Sequence, residues 1–274
     1  DLMDKNILVV IDGQNDFMDI SGSALPVTGA AEDMSRIAGL IDQLGHQLWD
    51  IQLTLDTHHE YHIAHPVFWT DSQGQSPAPF TLISLSDVTS GKWRARVPNH
   101  QAMATEYVET LAKSGRYELV VWQPHCLVGS WGHNLYQPLY NAVSSWEKQH
   151  LAIASKVTKG SNWSTEHYSA VKADVVRSDD PGTQLNVDFI QSLQNADRVF
   201  LSGQASSHCV ANTVRDVVDN FGAEPLNKLY LMADGMSPVP GFESLSDDFF
   251  RDMKAKGVNV CTTREAASSL QRAA

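Results

Sequence analysis

The sequence predicts an α/β fold with a mostly parallel central sheet and helices on both faces. Two observations carry that expectation. Short apolar runs alternate with longer amphipathic stretches along the chain, the rhythm of strand–helix–strand units. The length of 274 residues, with 42% hydrophobic, 19% charged and 8% aromatic side chains, is enough for one large core and far from the composition of a disordered chain. A single domain over 1–274 is expected, with an insertion at about 66–98.

Each element has its own local reason. Residues 7–11 (Ile-Leu-Val-Val-Ile) are a short apolar run of the kind buried on both faces of a sheet. Residues 31–44 follow Gly29 with apolar positions at near-helical spacing, and 48–55 return to a strand-like pattern. From Pro66 to Pro98 the rhythm stops, because Pro66, Gly74, Pro77, Pro79, Gly91 and Pro98 interrupt every candidate element. Loops of that length inside a domain are functional or form interfaces. The aromatics Phe68, Trp69, Phe80 and Trp93 argue against a bare solvent loop, so the insertion is expected to cover a site or contact a second subunit. Strands are then expected at 119–122, 151–155, 199–201, 229–232 and 258–261. Helices are expected at 134–146, 207–220 and 245–255, the last after the breakers Pro238, Pro240 and Gly241.

Composition narrows function. Twenty Lys and Arg against 32 Asp and Glu give a net charge of −12 with no basic block, which disfavours nucleic acid as a partner. No apolar run approaches the roughly 20 residues of a membrane helix, and the first residues do not resemble a signal peptide. Three widely spaced cysteines, Cys126, Cys209 and Cys261, are not a disulfide framework. A cytoplasmic protein with reduced thiols is expected, although the absent initiator Met leaves room for a removed N-terminal piece.

Open parallel sheets bind ligands beyond the carboxyl ends of their strands. Asp12 directly follows the run 7–11, where desolvation raises a carboxylate toward a useful base, unless it merely caps a turn. The second strand runs into Asp56-Thr-His58-His59-Glu60-Tyr-His62-Ile-Ala-His65, four of the 11 histidines within one short segment. Such donors suit Zn²⁺, Fe²⁺ or Mn²⁺, and His125 at another strand end is a further candidate ligand. A polar surface loop is the plainer alternative. Cys209 falls in the first turn of the 207–220 helix, where dipole and free N–H groups lower a thiol pKa and bind an oxyanion. Cys126 and Cys261 read as inert core thiols. Lys159 follows another strand end, where its charge would hold down the Asp12 pKa and favour the Cys209 thiolate.

In this order the segments resemble the nicotinamidase and isochorismatase-like superfamily of cysteine hydrolases. The resemblance rests on Ile-Asp12-Gly-Gln-Asn-Asp-Phe17, Gly22 to Gly29, Asp56-Thr-His58 with His62, Trp122-Gln-Pro-His125-Cys126, Lys159-Gly160 with Tyr168-Ser-Ala, and Gly203 to Val210. It implies a Rossmann-like three-layer sandwich and a catalytic set of Asp12, Lys159 and Cys209. It further implies a cis peptide between Gln204 and Ala205, an oxyanion site at the Ala205 and Cys209 N–H groups, and pocket walls from Phe17 and Trp122. A divalent metal, zinc in the first instance with iron or manganese as alternatives, would be held by Asp56, His58, His62 and His125. His59 and His65 remain alternatives to His62.

The implied activity is hydrolysis of a small, heteroaromatic amide to carboxylate and ammonia through a Cys209 thioester, by a protein expected to form homo-oligomers. Asp12 would take the thiol proton, protonate the leaving ammonia and, with the metal, activate water. Two rivals remain, an amidohydrolase for a carbamoyl, ureido or other small amide, and a catalytically silent metal-binding module on the same fold. Gln204 and Gln123 depart from the residues usual at these positions in the family.

Overall fold

The computed structural model describes residues 3–114 and 116–272. In chain order the elements are β1 (Asn6–Ile11), α1 (Ala30–Leu44), β2 (Asp50–Asp56), β3 (Trp69–Thr70), β4 (Leu82–Ile83), α2 (Leu85–Thr89), β5 (Arg94–Ala95), α3 (Gln101–Ser114) and β6 (Leu119–Val120). There follow α4 (Gln137–His150), β7 (Ser155–Lys159), α5 (Val187–Gln194), β8 (Arg198–Gln204), α6 (Cys209–Asp219), β9 (Leu229–Ser237), α7 (Glu243–Ala255), β10 (Asn259–Cys261) and α8 (Thr263–Arg272).

All six residues of β1 are buried, as a strand covered on both faces must be. It lies inside a six-stranded sheet of order β10-β9-β8-β1-β2-β7, every pair of which is parallel. From β1 the chain builds outward through β2 to β7, then returns to β8 and builds the other way to β10. Right-handed crossovers in opposite directions put helices on opposite faces, giving the α/β three-layer arrangement. Accordingly α1 packs with α4 and α8, while α6 packs with α7. The strand order reverses between β1 and β8, so the crevice beyond their carboxyl ends is where a ligand site is expected.

Two predicted strands fall differently. The 119–122 run contributes only β6, which pairs antiparallel with β4 outside the main sheet. The strand expected at 151–155 starts only at Ser155. Leu151 takes a left-handed conformation that ends α4, and the side chains of Leu151 and Ile153 are 93% and 82% exposed. Their apolarity does not serve the core.

Helices α3, α5 and α8 were not expected from the pattern. In α8 the apolar stripe is thin, with Ala266 and Leu270 the buried residues, whereas α3 buries Ala104, Tyr107, Val108 and Leu111 at regular helical spacing.

The 66–98 insertion is not structureless. It contains the pair β3–β5, the strand β4 and the short helix α2, whose Ser84 and Asp87 form a capping box. Phe68 and Trp69 are fully buried, and the Arg96 guanidinium donates to the Val67 and Trp69 carbonyls at 3.1 and 3.0 Å. Its contacts with the region beyond the main-sheet strand ends include Phe80, packed edge-on against the Trp122 ring at 5.7 Å, Phe68 beside Tyr61 and Trp163 at 5.5 and 6.3 Å, and the Trp69 Nε1–H, which donates to the Ile63 carbonyl at 2.7 Å.

Candidate active site

Asp12, Lys159 and Cys209 come from the ends of β1 and β7 and the start of α6, and the sheet brings them together. The Lys159 ammonium lies 2.8 Å from Asp12 Oδ2 and donates to Cys209 Sγ at 3.5 Å and to the His167 carbonyl at 3.1 Å. It also reaches Asp56 Oδ1 at 3.4 Å. Asp12 adopts φ 50° and its Oδ1 accepts the Thr54 hydroxyl at 2.6 Å.

The electrostatics follow the sequence expectation at Asp12 and differ from it at Cys209. Burial pushes the Asp12 carboxyl above its usual value although Lys159 opposes it. Burial likewise pushes the Cys209 thiol well up, against the pull of Lys159. Burial alone would lower Lys159, but Asp12 and Asp56 hold it well above the usual lysine range. These directions favour a neutral thiol beside a charged ammonium and a strengthened base over a preformed thiolate.

The turn from β8 into α6 carries the nucleophile. Gly203 has φ 121°, and a Cβ there would overlap the Ile11 backbone, so only glycine fits. The Gln204–Ala205 peptide is cis. The N–H groups of Ala205 and Cys209 have no hydrogen-bond acceptor among the described residues, which leaves two donors free beside the thiol.

The polar side chains of this turn face away from the thiol. Gln204 donates to Asp33 Oδ2 at 3.0 Å and accepts the Ser237 N–H at 3.2 Å. Ser206 pairs with Ser246 at 2.7 Å, and Ser207 Oγ accepts the Val239 N–H at 3.0 Å. The turn is thus tied to α1, to the end of β9 and to α7.

Next to the trio, Asp56, His58 and His125 bring ligand atoms within 4.8 Å of one another. Asp56 Oδ2 faces His58 Nε2 at 2.9 Å and His125 Nε2 at 3.3 Å. Both rings already use Nδ1–H, on the carbonyls of Gly160 at 2.9 Å and Gln123 at 2.8 Å. With Nδ1–H so engaged, each ring, once deprotonated at Nε2, turns a lone pair toward the same carboxylate oxygen, the donor set that a cation between them would use. Burial would lower His58, but Asp56 outweighs it and raises the ring. The same neighbours hold Asp56 well below the carboxylate range in spite of burial. The donor set fits a divalent ion of the zinc type.

His62 stands outside this group. Its Nδ1 accepts the Ala64 N–H at 3.0 Å, so the neutral ring carries its hydrogen on Nε2, 3.8 Å from Glu166 Oε1, and offers no lone pair. His65 is wired like His58 and His125, with Nδ1–H on the Glu60 carbonyl at 2.9 Å and a buried, unpartnered Nε2. His59 is exposed.

Two further residues hold the frame. Gln14 brackets Asp56, donating to its carbonyl and accepting its N–H, both at 2.8 Å. A Cβ at Gly160 would lie 2.7 Å from His58 Cε1 and 2.9 Å from Asp56 Oδ1.

Phe17 and Trp122 line a cavity with Tyr168, His208, Ala205 and Cys209, and with Asp56, His58, His125 and Glu166. No residue of 66–98 lines it, so the insertion does not cover this cavity directly. Sequence reasoning missed Glu166 and His208. Glu166 Oε2 accepts the Trp122 Nε1–H, which also reaches Tyr168 Oη. His208 is enclosed by four aromatic rings, and burial holds it at about 3. The adjacency of Glu166 to Tyr168, and of His208 to Cys209, was the available signal.

No family model matches the chain. A curated relative, the nicotinamidase of Saccharomyces cerevisiae, is 23% identical over 255 residues, covering 92% of this chain and 97% of its own length. Among solved structures, an Acinetobacter baumanii nicotinamidase and pyrazinamidase superposes with a TM-score of 0.64 at 21% identity, covering 96% and 98% of the two chains. A Pyrococcus horikoshii pyrazinamidase in complex with zinc gives 0.54 at 19%, covering 94% and 99%. An isochorismatase-family protein of Desulfovibrio vulgaris gives 0.54 at 16%, covering 98% and 100%. From β1 to α8, this chain has the fold shared by the nicotinamidases and the isochorismatase-like hydrolases.

Proposed function

We propose that the protein is an amidohydrolase of the nicotinamidase type, cleaving a small heteroaromatic amide to its carboxylate and ammonia. The observation that carries this reading is the Lys159 ammonium set between Asp12 at 2.8 Å and Cys209 Sγ at 3.5 Å, at the wall of a cavity flanked by Phe17 and Trp122. The names of the relatives support the substrate class.

In this reading the substrate ring lies between Phe17 and Trp122 with its carboxamide at Cys209. Asp12 removes the thiol proton as sulfur attacks the carbonyl carbon, so the raised thiol pKa is met by a strengthened base at the moment of attack. The Ala205 and Cys209 N–H groups receive the oxyanion. Asp12 returns its proton to the leaving ammonia, which leaves a thioester on Cys209. A water deprotonated by Asp12 then releases the carboxylate and regenerates the thiol. Lys159 keeps Asp12 oriented and offsets the negative charge that develops beside it. A divalent ion, zinc first among the candidates, would be held by Asp56, His58 and His125, with the His65 lone pair nearby, and supplies Lewis-acid binding of a substrate ring nitrogen.

The test is ammonia release from nicotinamide by zinc-reconstituted protein, run beside Cys209→Ala. Release that the variant loses by at least about 10³-fold supports the reading, on the scale expected for removing a nucleophile. Release that survives in Cys209→Ala overturns the thioester route. Failure to hydrolyse nicotinamide, with one zinc bound per chain, overturns the nicotinamidase assignment.

A further inference from the structure

Of the polar atoms lining the catalytic cavity, the imidazole of His208 has no place in the mechanism above. Its position is firmly set. The ring is 3% exposed, stacked on Tyr117 at 5.2 Å and met by Trp122, Tyr168 and Phe242 at 5.3, 5.3 and 4.8 Å. A ring held on this many sides has little freedom to turn.

Its hydrogen can also be located. Ser207 Oγ lies 2.9 Å from His208 Nδ1 and already accepts the Val239 N–H. If the hydroxyl donates to Nδ1, both Ser207 and Nδ1 are satisfied. If Nδ1 donates instead, the hydroxyl hydrogen has no acceptor among the described residues and Nε2 is unpartnered as well. The first arrangement leaves one unmet group rather than two. It fixes the neutral ring as the Nε2–H tautomer, and His208 Nε2 has no partner.

A buried, unpartnered donor is costly in a folded protein and calls for an explanation. Here the residue lines the same cavity as Phe17, Trp122, Tyr168 and Cys209. Two other side-chain donors there are occupied, the Trp122 indole by Glu166 and Tyr168 and Lys159 by Asp12 and the His167 carbonyl, and the free Ala205 and Cys209 N–H groups are reserved for the oxyanion in the reading above.

We propose that His208 is a specificity-determining residue, whose Nε2–H selects amides carrying a further hydrogen-bond acceptor on the ring. The proposal rests on the amidohydrolase reading and deepens it. The preferred substrate class is a flat carboxamide with two acceptors on its ring, one for the metal side and one for His208. A site built to donate to a substrate acceptor discriminates strongly against the analogue that lacks it. A pocket of hydrocarbon alone would not.

The test compares nicotinamide, with one ring nitrogen, to pyrazinamide and pyrimidine-5-carboxamide, each with one C–H replaced by a second nitrogen. Calorimetric Kd values are measured in Cys209→Ala, in Cys209→Ala with His208→Phe, and in Cys209→Ala with His208→Gln, all zinc-loaded. The variant with His208 intact is expected to bind at least one of the two-nitrogen amides fivefold or more tighter than nicotinamide. His208→Phe should abolish that preference, and His208→Gln, which keeps an N–H donor, should restore part of it.

In enzymes with Cys209 present, the same preference should appear in KM rather than kcat. A preference below twofold for both amides with His208 intact overturns the proposal, as does one that survives His208→Phe. The former is the result expected if the N–H only faces the Phe242 ring. Because binding is read without turnover, this outcome is distinct from failure of the ammonia-release assay.

Discussion

Lys159 shows how far one side chain determines the others. Its side chain is 1% exposed and lies between two carboxylates, Asp12 and Asp56. Removing one partner of a buried ionic cluster leaves uncompensated charge, at a cost of about 3–5 kcal/mol. Lys159→Ala is therefore expected to abolish turnover and also to lower the melting temperature by on the order of 10 °C. Cys209→Ala, which removes a neutral thiol, should lose turnover while shifting the melting temperature far less. Calorimetry on the two variants checks this, and equal melting temperatures would contradict the buried-cluster account. Asp12 and Cys209 were legible in the sequence because each follows or begins a recognisable element, and Lys159 through the Lys159-Gly160 segment of the family resemblance rather than through its strand, which starts later than expected. Their protonation was legible only in part: burial outweighs the opposing charge at Asp12, as its place after an apolar run suggests, and at Cys209, whereas at Lys159 the two carboxylates outweigh burial.

At the level of elements, β1, β2, β8 and β9 were legible because each contains a short, strand-length apolar or alternating run bounded by polar or turn residues. The runs at 119–122 and 151–155 are equally apolar, but pairing partner and register depend on chain far away in sequence. For the metal donors, Asp56 and His58 lie at the end of β2, whereas His62 and His65 differ by which ring nitrogen the local backbone occupies. No residue pattern reports that difference. The link from β7 to the metal donors passes through Gly160, whose carbonyl accepts the His58 Nδ1–H and whose missing Cβ leaves room for the ring. Gly160→Ala alters no donor, yet its methyl group would displace His58 and Asp56. Zinc affinity is expected to fall about 10- to 100-fold, the range seen when outer partners of metal ligands are disturbed. Chelator competition measures it, and unchanged affinity would show that β7 has slack the close approach does not suggest.

For the whole molecule, two buried histidines outside the metal donor set, His167 and His208, set an acid limit. Burial holds His167 and His208 at about 3, while in the unfolded chain they titrate at about 6.5. Between those values the unfolded state binds more protons, so stability rises with pH. The contribution is complete above about pH 6.5 and is lost as the pH falls toward 3, each ring adding up to about 1.4 kcal/mol per pH unit. Melting temperatures from pH 7.5 to 4 should decline across this window, and His167→Phe should flatten the slope. An unchanged slope would place the acid sensitivity elsewhere. The anchoring of the nucleophile turn bears on how such a molecule could be re-engineered. Because Gln204, Ser206 and Ser207 reach out to Asp33, Ser246 and the Val239 backbone, combinatorial libraries placed at Asp33, Ser237 and Ser246 would explore turnover rate while leaving the substrate-facing wall, and hence the choice of ligand, largely as it is.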